Sequence, residues 1–224
     1  YKNRWVKTTK WELEHAAGRG LFSGMNPLDT DESVQGLATN GLANTNIVWH
    51  GGKLLALEEA HAPFELDPTS LESKGPWTFG NTLAGPMTAH PKMDPETGEM
   101  IFFGYSVDGM LSNKMSYHVV NRHGELTTSA FFDAPYGAMV HDFIVTRDFV
   151  LFPIMPLTAS LDRAMQGKPP FAWEPDKQNM IGIMPRSGSV EDIRWFEGDP
   201  SYVFHPMNAF NVGNKITCDV SHYG

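Results

Sequence analysis

The sequence predicts an all-β fold made of repeated sheets, of the β-propeller kind or a related array. Three similar segments support this prediction. Each begins with a histidine, runs through a short apolar stretch and a turn, and returns as a second apolar stretch. The three histidines, His90, His141 and His205, are 51 and 64 residues apart. A repeat near 50 residues with loops of variable length is typical of propeller blades.

The best local signal is a β-hairpin around Gly51-Gly52, because two glycines supply the positive φ angles that tight primed turns require. A short helix is expected before Gly18, and a helical turn at 161–165 lies in an insertion, 157–180, that carries a proline-rich loop. Strands are predicted at 46–50, 53–57, 100–105, 116–120, 126–132, 140–145, 149–152, 179–184, 192–196, 204–210 and 215–220.

Composition excludes several functional classes. The 224 residues are 41% hydrophobic and 19% charged, which is ordinary for a globular protein, and the formal charge of -9 disfavours a nucleic-acid surface. No apolar stretch is long enough to span a bilayer, although a peripheral membrane contact stays open. The single cysteine, Cys218, excludes an intrachain disulfide and is compatible with the cytoplasm.

The ends of the sequence suggest a piece of a longer protein. The chain starts at Tyr1 and stops at Gly224 just as a predicted strand finishes. We therefore expect residues 1–224 to form one domain, a partial propeller whose N- and C-terminal parts are missing.

The repeated histidines are candidate metal ligands. Neutral imidazole suits zinc, copper, nickel and iron alike, so three histidines indicate a transition metal without naming it. Compact motifs such as His-Glu-x-x-His are absent, so tertiary structure must assemble the site. The alternative is that these are ordinary core or surface histidines, of which the chain has nine in all.

The residues around each histidine resemble the metal-binding motifs of the carotenoid cleavage oxygenase family, particularly its lignostilbene dioxygenase branch. The resemblance spans most of the chain. The matching segments are Thr88-Ala89-His90-Pro91, Val140-His141-Asp142-Phe143, Phe204-His205-Pro206-Met207-Asn208-Ala209 and residues 43–46, 54–59, 65–68, 171–176 and 193–196.

This resemblance implies a seven-bladed β-propeller that holds a non-haem Fe(II) through four histidines. Three of them match His90, His141 and His205, and the fourth is expected beyond Gly224, so the chain alone is expected to be inactive. Glu59 matches a second-shell glutamate that would accept the remote ring N–H of a ligand histidine.

The implied activity is a dioxygenase reaction, in which O2 cleaves a carbon–carbon double bond of an apocarotenoid, a stilbene or a related phenylpropanoid into two carbonyl products. The expected partners are thus a hydrophobic small molecule and O2. Two alternatives remain: a propeller without catalytic activity that binds a partner or an apolar ligand, and a retinoid-isomerase-like enzyme on the same scaffold.

The substrate end of the site departs from the stilbene-cleaving pattern. Those members carry a lysine immediately before the second-shell glutamate, where this chain has Glu58, and a tyrosine upstream of an Asn-Pro pair, where Gly24 and Met25 precede Asn26-Pro27. A carboxylate disfavours a phenolate but accepts a hydrogen bond from a neutral hydroxyl. Glu58 is therefore a candidate substrate-binding residue. The two departures favour an apocarotenoid or a differently substituted phenylpropanoid as the substrate over a 4-hydroxystilbene.

Other residues are interpreted more simply. Asp142 follows His141 on a predicted strand, where neighbours point to opposite faces, so we expect it to be structural rather than a ligand. His50 and His123 are expected to be exposed turn residues, and His61 and His118 are given no functional role.

Overall fold

The computed structural model describes residues 1–23, 30–37, 39 and 41–223, without the side chain of His222. The predicted substrate segment with Gly24, Met25, Asn26 and Pro27 therefore lies outside the described residues. Within the described ranges, the chain forms short helices and sixteen strands.

The N-terminal helix α1 spans Thr9–Ala17, as the sequence predicts. The hydroxyl of Thr8 caps its first turn by accepting the backbone N–H of Trp11. Gly18 ends the helix with a φ of 65°, a left-handed conformation that glycine adopts without steric cost. The predicted helical turn is also present, as helix α2 at Leu161–Met165.

The first two sheets are antiparallel meanders, in which strands adjacent in sequence lie side by side. The first contains β1 (Asn46–His50), β2 (Lys53–Leu57), β3 (Phe64–Leu66) and β4 (Ser73–Pro76). The second contains β5 (Lys92–Met93), β6 (Met100–Tyr105), β7 (Lys114–Val120) and β8 (Leu126–Asp133). Four-stranded meanders of this kind are the building block of propellers.

The third four-stranded sheet has one insertion between its strands. The remaining strands are β9 (Ile144–Val145), β10 (Phe149–Ile154), β11 (Leu157–Ala159), β12 (Phe171–Trp173), β13 (Asn179–Pro185), β14 (Arg194–Gly198), β15 (Tyr202–Val212) and β16 (Lys215–Tyr223). The order of the third sheet is β14-β13-β10-β9, and the short hairpin β11-β12 lies between β10 and β13 in sequence. The chain then forms a two-stranded ribbon, β15-β16.

Two sequence predictions need correction. The strand predicted at 140–145 is reduced to β9, so the residues that precede Ile144 are not in a strand. The proline-rich stretch predicted as a loop contains β12, which pairs with β11 through Thr158 and Ala172. Proline marks the ends of this hairpin without preventing it, since Pro170 and Pro175 lie outside the paired residues.

The chain divides into two compact units, each with its own apolar packing. The first comprises Tyr1–Gly104, His118–Ser129 and Asp162–Pro169, and the second Tyr105–Tyr117, Ala130–Leu161 and Pro170–Gly224. In the second, the ring of Phe152 contacts those of Tyr117, Phe132 and Phe143. That residues 1–224 form a single domain stays a prediction. The main core of the first unit contains Leu55, Leu57, Phe79, Leu83, Met87, Ala89, Met100, Phe102 and Val120.

The predicted Gly-Gly hairpin is confirmed in its register and its turn. Strands β1 and β2 pair from Asn46 with Leu57 to His50 with Lys53. Gly51 and Gly52 have φ angles of 54° and 75°. Gly51 is also constrained by space, because a Cβ built on it would lie 2.4 Å from the Cα of Gly124.

Replacing Gly51 with alanine should therefore destabilise the fold more than the same change at Gly52. Both variants bear the cost of a left-handed alanine, about 1–2 kcal/mol. Only Gly51→Ala adds steric overlap with the Gly124 backbone, about 1–3 kcal/mol more. Urea unfolding of the two variants measures the difference in free energy, and equal losses would contradict the close approach of the two turns.

Candidate metal centre

His90 follows a buried segment that fixes its backbone. Met87, Thr88 and Ala89 are at most 1% exposed. The backbone N–H of Thr88 donates to the carbonyl of Phe103 at 2.8 Å, and the Asn46 side-chain amide donates to the carbonyl of Ala89 at the same distance. The backbone N–H of His90 itself donates to the Thr88 hydroxyl. The imidazole thus extends from a rigid, well-bonded turn just before β5.

His141 lies two residues before β9, in irregular backbone rather than in a strand. Its neighbour Asp142 is buried, with 5% exposure, and one carboxylate oxygen accepts the backbone N–H of Phe143 at 2.8 Å. The strand-alternation argument about Asp142 was wrong in its premise, because the predicted strand does not extend to these residues. Their two side chains are free of the alternation that a strand imposes.

His205 lies on β15 at an irregularity in the pairing with β16. The register shifts between Val203 and Pro206 and again between Pro206 and Asn208. Proline has no backbone N–H to give to the ladder, which explains why the pairing breaks here. Bulges of this kind redirect side chains and are common beside functional sites.

The structure brings the three histidines together. Each offers one ring nitrogen, and these three nitrogens lie within 4.8 Å of one another, in an arrangement that can hold a metal ion. The rings of His141 and His205 meet edge to face, with centroids 4.8 Å apart. The second carboxylate oxygen of Asp142 lies 3.4 Å from Nδ1 of His205.

An apolar cavity of about 530 Å³ lies within the second unit, and none of the three histidines lines it. Phe204 lines it and also contacts the His141 ring edge to face, with centroids 5.7 Å apart. Cys218 lines the cavity too, and burial raises the pKa of its thiol. The other lining residues are Asp142, Ile144, Leu151, Pro153, Met155, Ile181, Ile183, Asp199, Pro200, Ser201, Val203, Pro206, Ile216 and Val220.

Glu58 and Glu59 follow β2 directly, and their side chains are partly buried. One carboxylate oxygen of Glu58 contacts Nδ1 of His61, and the other accepts the backbone N–H of Ala60 at 2.9 Å. Nε2 of His61 lies 2.8 Å from the hydroxyl of Thr39. Sequence reasoning missed this carboxylate–imidazole–hydroxyl chain, in which Glu58 holds His61. The roles suggested for Glu58 in substrate binding and for Glu59 beside a ligand stay predictions.

The remaining histidines differ in their surroundings. His123 is exposed in a turn, as expected, and Nε2 of His50 lies 3.0 Å from the carbonyl of Gly98. His118 is fully buried on β7 and stacks on the ring of Phe102. Burial lowers the pKa of His118 to about 4, because a charged imidazole would lose its hydration there.

A family model matches the whole chain. The model is described as RPE65, retinal pigment epithelial membrane protein, and its match covers residues 1–224. The chain belongs to the RPE65 and carotenoid cleavage oxygenase family. The resemblance stated from the three histidine motifs is therefore confirmed.

Relatives in the carotenoid cleavage oxygenase family include an isoeugenol monooxygenase of Pseudomonas putida, 44% identical over 223 residues. Another is lignostilbene-α,β-dioxygenase isozyme III of Sphingomonas paucimobilis, 38% identical over 225 residues. Each match covers 98% of this chain and 46% of the relative. This chain thus spans slightly less than half the length of these two family members.

The solved structure of Pseudomonas brassicacearum lignostilbene dioxygenase superimposes on the chain with a TM-score of 0.90 at 36% identity. The match covers 97% of this chain and 45% of that one. Together with the four-stranded meanders, this likeness confirms the predicted fold class: the chain is part of a carotenoid cleavage oxygenase β-propeller. Over the ranges that the structure describes, none of the helices has the length and apolar character needed to cross a membrane.

Proposed function

We propose that this chain is part of a non-haem Fe(II) dioxygenase that uses O2 to cleave a carbon–carbon double bond in an apolar small molecule. His90, His141 and His205 are the proposed iron ligands. The observation that carries the proposal is the approach of their three ring nitrogens to within 4.8 Å of one another. The family membership, which rests on a match over all 224 residues, favours oxygenase chemistry at this site.

The donor set fits such an ion. Metal–imidazole bonds are about 2.0–2.1 Å long, so two nitrogens on one ion are at most about 4.2 Å apart. Separations of up to 4.8 Å exceed that limit slightly, so the rings would move closer together on binding an ion. Zinc binds imidazole equally well but has no redox chemistry, so oxygenase activity favours iron over zinc.

When bound, Fe(II) would supply the activation of O2 that splits the double bond into two carbonyl groups. The chain's own residues would hold the ion and shape its surroundings. Neutral imidazoles add no negative charge to the site. Glu59 is proposed to accept the remote N–H of one ligand histidine, which fixes the tautomer that coordinates.

The proposed substrate is a phenylpropanoid with a double bond in its side chain. Two relatives that are 44% and 38% identical are named for isoeugenol and for lignostilbene, and this favours a phenylpropanoid over an apocarotenoid. The largely apolar cavity of the second unit, which Asp142 and Phe204 line, suits an aromatic ring, because apolar lining with a few polar groups is typical of ligand sites. The single cysteine of the chain, Cys218, is compatible with a cytoplasmic location.

Oxygen consumption with product analysis tests this proposal. The full-length protein is loaded with Fe(II) without oxygen, then mixed with O2 and isoeugenol, a lignostilbene or an apocarotenoid in parallel. We expect O2 uptake and two carbonyl products, fastest with one of the two phenylpropanoids.

Other outcomes would overturn the proposal in different ways. An isomerised product without O2 uptake would favour a retinoid-isomerase-like enzyme. Binding of the substrates without any turnover, by protein that retains its metal, would favour a binding module. Cleavage of the apocarotenoid alone would keep the reaction and overturn the proposed substrate class.

A further inference from the structure

The side chain of Asn46 joins the turn that carries His90 to a different sheet. Asn46 is the first residue of β1, where its backbone pairs with that of Leu57. Its side-chain nitrogen Nδ2 donates to the carbonyl of Ala89 at 2.8 Å. β1 belongs to the first sheet, whereas Ala89 precedes β5, the first strand of the second sheet. The contact therefore links two sheets across 43 residues of sequence.

The orientation of the Asn46 amide follows from its two contacts. Oδ1 accepts the backbone N–H of Ile47 at 2.8 Å, while Nδ2 faces the Ala89 carbonyl. Rotating the amide by half a turn would place its nitrogen against an N–H and its oxygen against a carbonyl, so one orientation satisfies both groups. Ala89 is fully buried, which shields its carbonyl from water. Removing the Asn46 donor would thus leave a buried acceptor unsatisfied.

Both polar atoms of the peptide bond between Ala89 and His90 are held. The carbonyl accepts from Asn46, and the N–H of His90 donates to the hydroxyl of Thr88 at 3.1 Å. A peptide bond is planar, so fixing these two atoms fixes the plane that leads to the Cα of His90. Pro91 follows and favours an extended backbone at His90. The Cα–Cβ bond from which the imidazole extends therefore has a defined direction.

We infer that Asn46 is a positioning residue for His90: its amide fixes the peptide plane before His90 and so directs the imidazole towards the other two histidines. The inference rests on the proposed function, because it takes His90 to be a metal ligand. The three ring nitrogens lie within 4.8 Å of one another, so a displaced His90 would open the group further. Ligand sets need to be held within about 0.5 Å of their binding geometry.

The expected effect on metal binding is moderate. Losing an outer partner of a metal ligand typically weakens binding by about 10–100-fold. Asn46 acts on the backbone of the ligand rather than on its ring, so we expect the lower end of that range, about 10-fold. The same loss releases the Ala89 carbonyl in the metal-free protein, so the peptide plane should become mobile there as well.

Metal titration of the full-length protein tests the inference, with Co(II) as a spectroscopic probe. Asn46→Leu removes the donor with little change in volume and adds no charge. Asn46→Asp keeps an acceptor for the Ile47 N–H and removes only the donor. We expect both variants to bind Co(II) about 10-fold more weakly and to change its visible absorption. A carboxylate that acted on the ion through its charge would instead tighten binding.

Asn113→Leu is the matched control. The side-chain amide of Asn113 donates to the carbonyl of Ala134 at 2.7 Å, and Ala134 is also buried. The control thus loses the same kind of contact away from the three histidines. Urea unfolding should show similar losses of stability in Asn46→Leu and Asn113→Leu, whereas the Co(II) affinity should fall only in Asn46→Leu.

Amide hydrogen exchange, followed by mass spectrometry, gives a readout without any metal. In Asn46→Leu, the peptide that contains Ala89 and His90 should exchange faster, while the peptide that contains Ala134 keeps its rate. Asn113→Leu should show the reverse pattern. This measurement detects the local release of each turn, even where a variant loses part of its overall stability.

The outcomes separate the inference from the proposed function. If His90→Ala binds Co(II) as tightly as the unchanged protein, the proposed metal site is wrong. If His90→Ala loses binding while either Asn46 variant keeps the original affinity, only the role of the Asn46 donor is wrong. Equal losses of Co(II) affinity in Asn46→Leu and Asn113→Leu would also overturn that role, since they would reflect a general disturbance of the fold.

Discussion

Replacing His141 and His205 together with alanine should remove the metal from the full-length protein. Their rings meet with centroids 4.8 Å apart, and both contribute to the group of three ring nitrogens. The loss of affinity should exceed the roughly 10–100-fold effect of losing an outer-shell partner, because two direct ligands are removed. Oxygen uptake with any alkene substrate should disappear with the metal.

Metal analysis of the purified variant measures this effect, after equilibration with a defined concentration of Fe(II). His50→Ala is the matched control, because it removes an imidazole that contacts the carbonyl of Gly98 and is outside the group of three. The control should bind iron fully. A double variant that retains iron at the original affinity would show that the histidines are structural and that the ion is bound elsewhere.

Lowering the pH from 6.5 to 4 should destabilise the protein by about 3 kcal/mol through His118 alone. Burial lowers the pKa of this histidine from 6.5 to about 4. Between these values the unfolded chain takes up a proton that the folded chain does not, so the free energy of unfolding falls as the pH falls. Each pKa unit corresponds to about 1.4 kcal/mol.

Urea unfolding of the metal-free protein between pH 7 and pH 4 measures this slope. His118→Phe should flatten it, because phenylalanine keeps the aromatic contact with Phe102 and does not titrate. His123→Gln is the control, since His123 is exposed in a turn, and it should leave the slope unchanged. The pKa values of Asp31 and Asp148 are lowered from 3.8 to about 2, so these carboxyls add to the slope only towards pH 4, and they do so equally in all three proteins. An identical slope in His118→Phe would refute the assignment.

Local signals made much of the fold predictable from the sequence. The Gly51-Gly52 turn defines its hairpin because both glycines need positive φ. Gly18 marks the end of α1 for the same reason. The three histidine motifs were recognisable because each combines a ligand with a short apolar run and a turn, and this combination also led to the family.

The parts that sequence reasoning missed depend on contacts between distant residues. Val140 to Val145 alternates like a strand, yet only Ile144 and Val145 pair with β10. That error hid the approach of Asp142 to His205. His118 looked unremarkable because no local pattern reveals that its strand is buried. The contacts of His61 with Glu58 and Thr39 join residues 3 and 22 apart, and no recognised motif predicts them.

Residues 139–148 and β15 are joined in one register, from Tyr202 with Met139 to Asn211 with Asp148, and the partners in each pair are 63 residues apart. This register limits where the region can tolerate insertions and deletions. Adding one residue between Met139 and Asp148 would shift some of these hydrogen bonds out of register. It would also move His141 relative to His205. The stretch from 160 to 178 lies between the two segments in sequence and takes no part in these contacts. Lengthening a loop costs little free energy, so changes in length should accumulate there while the two histidines keep their spacing in space.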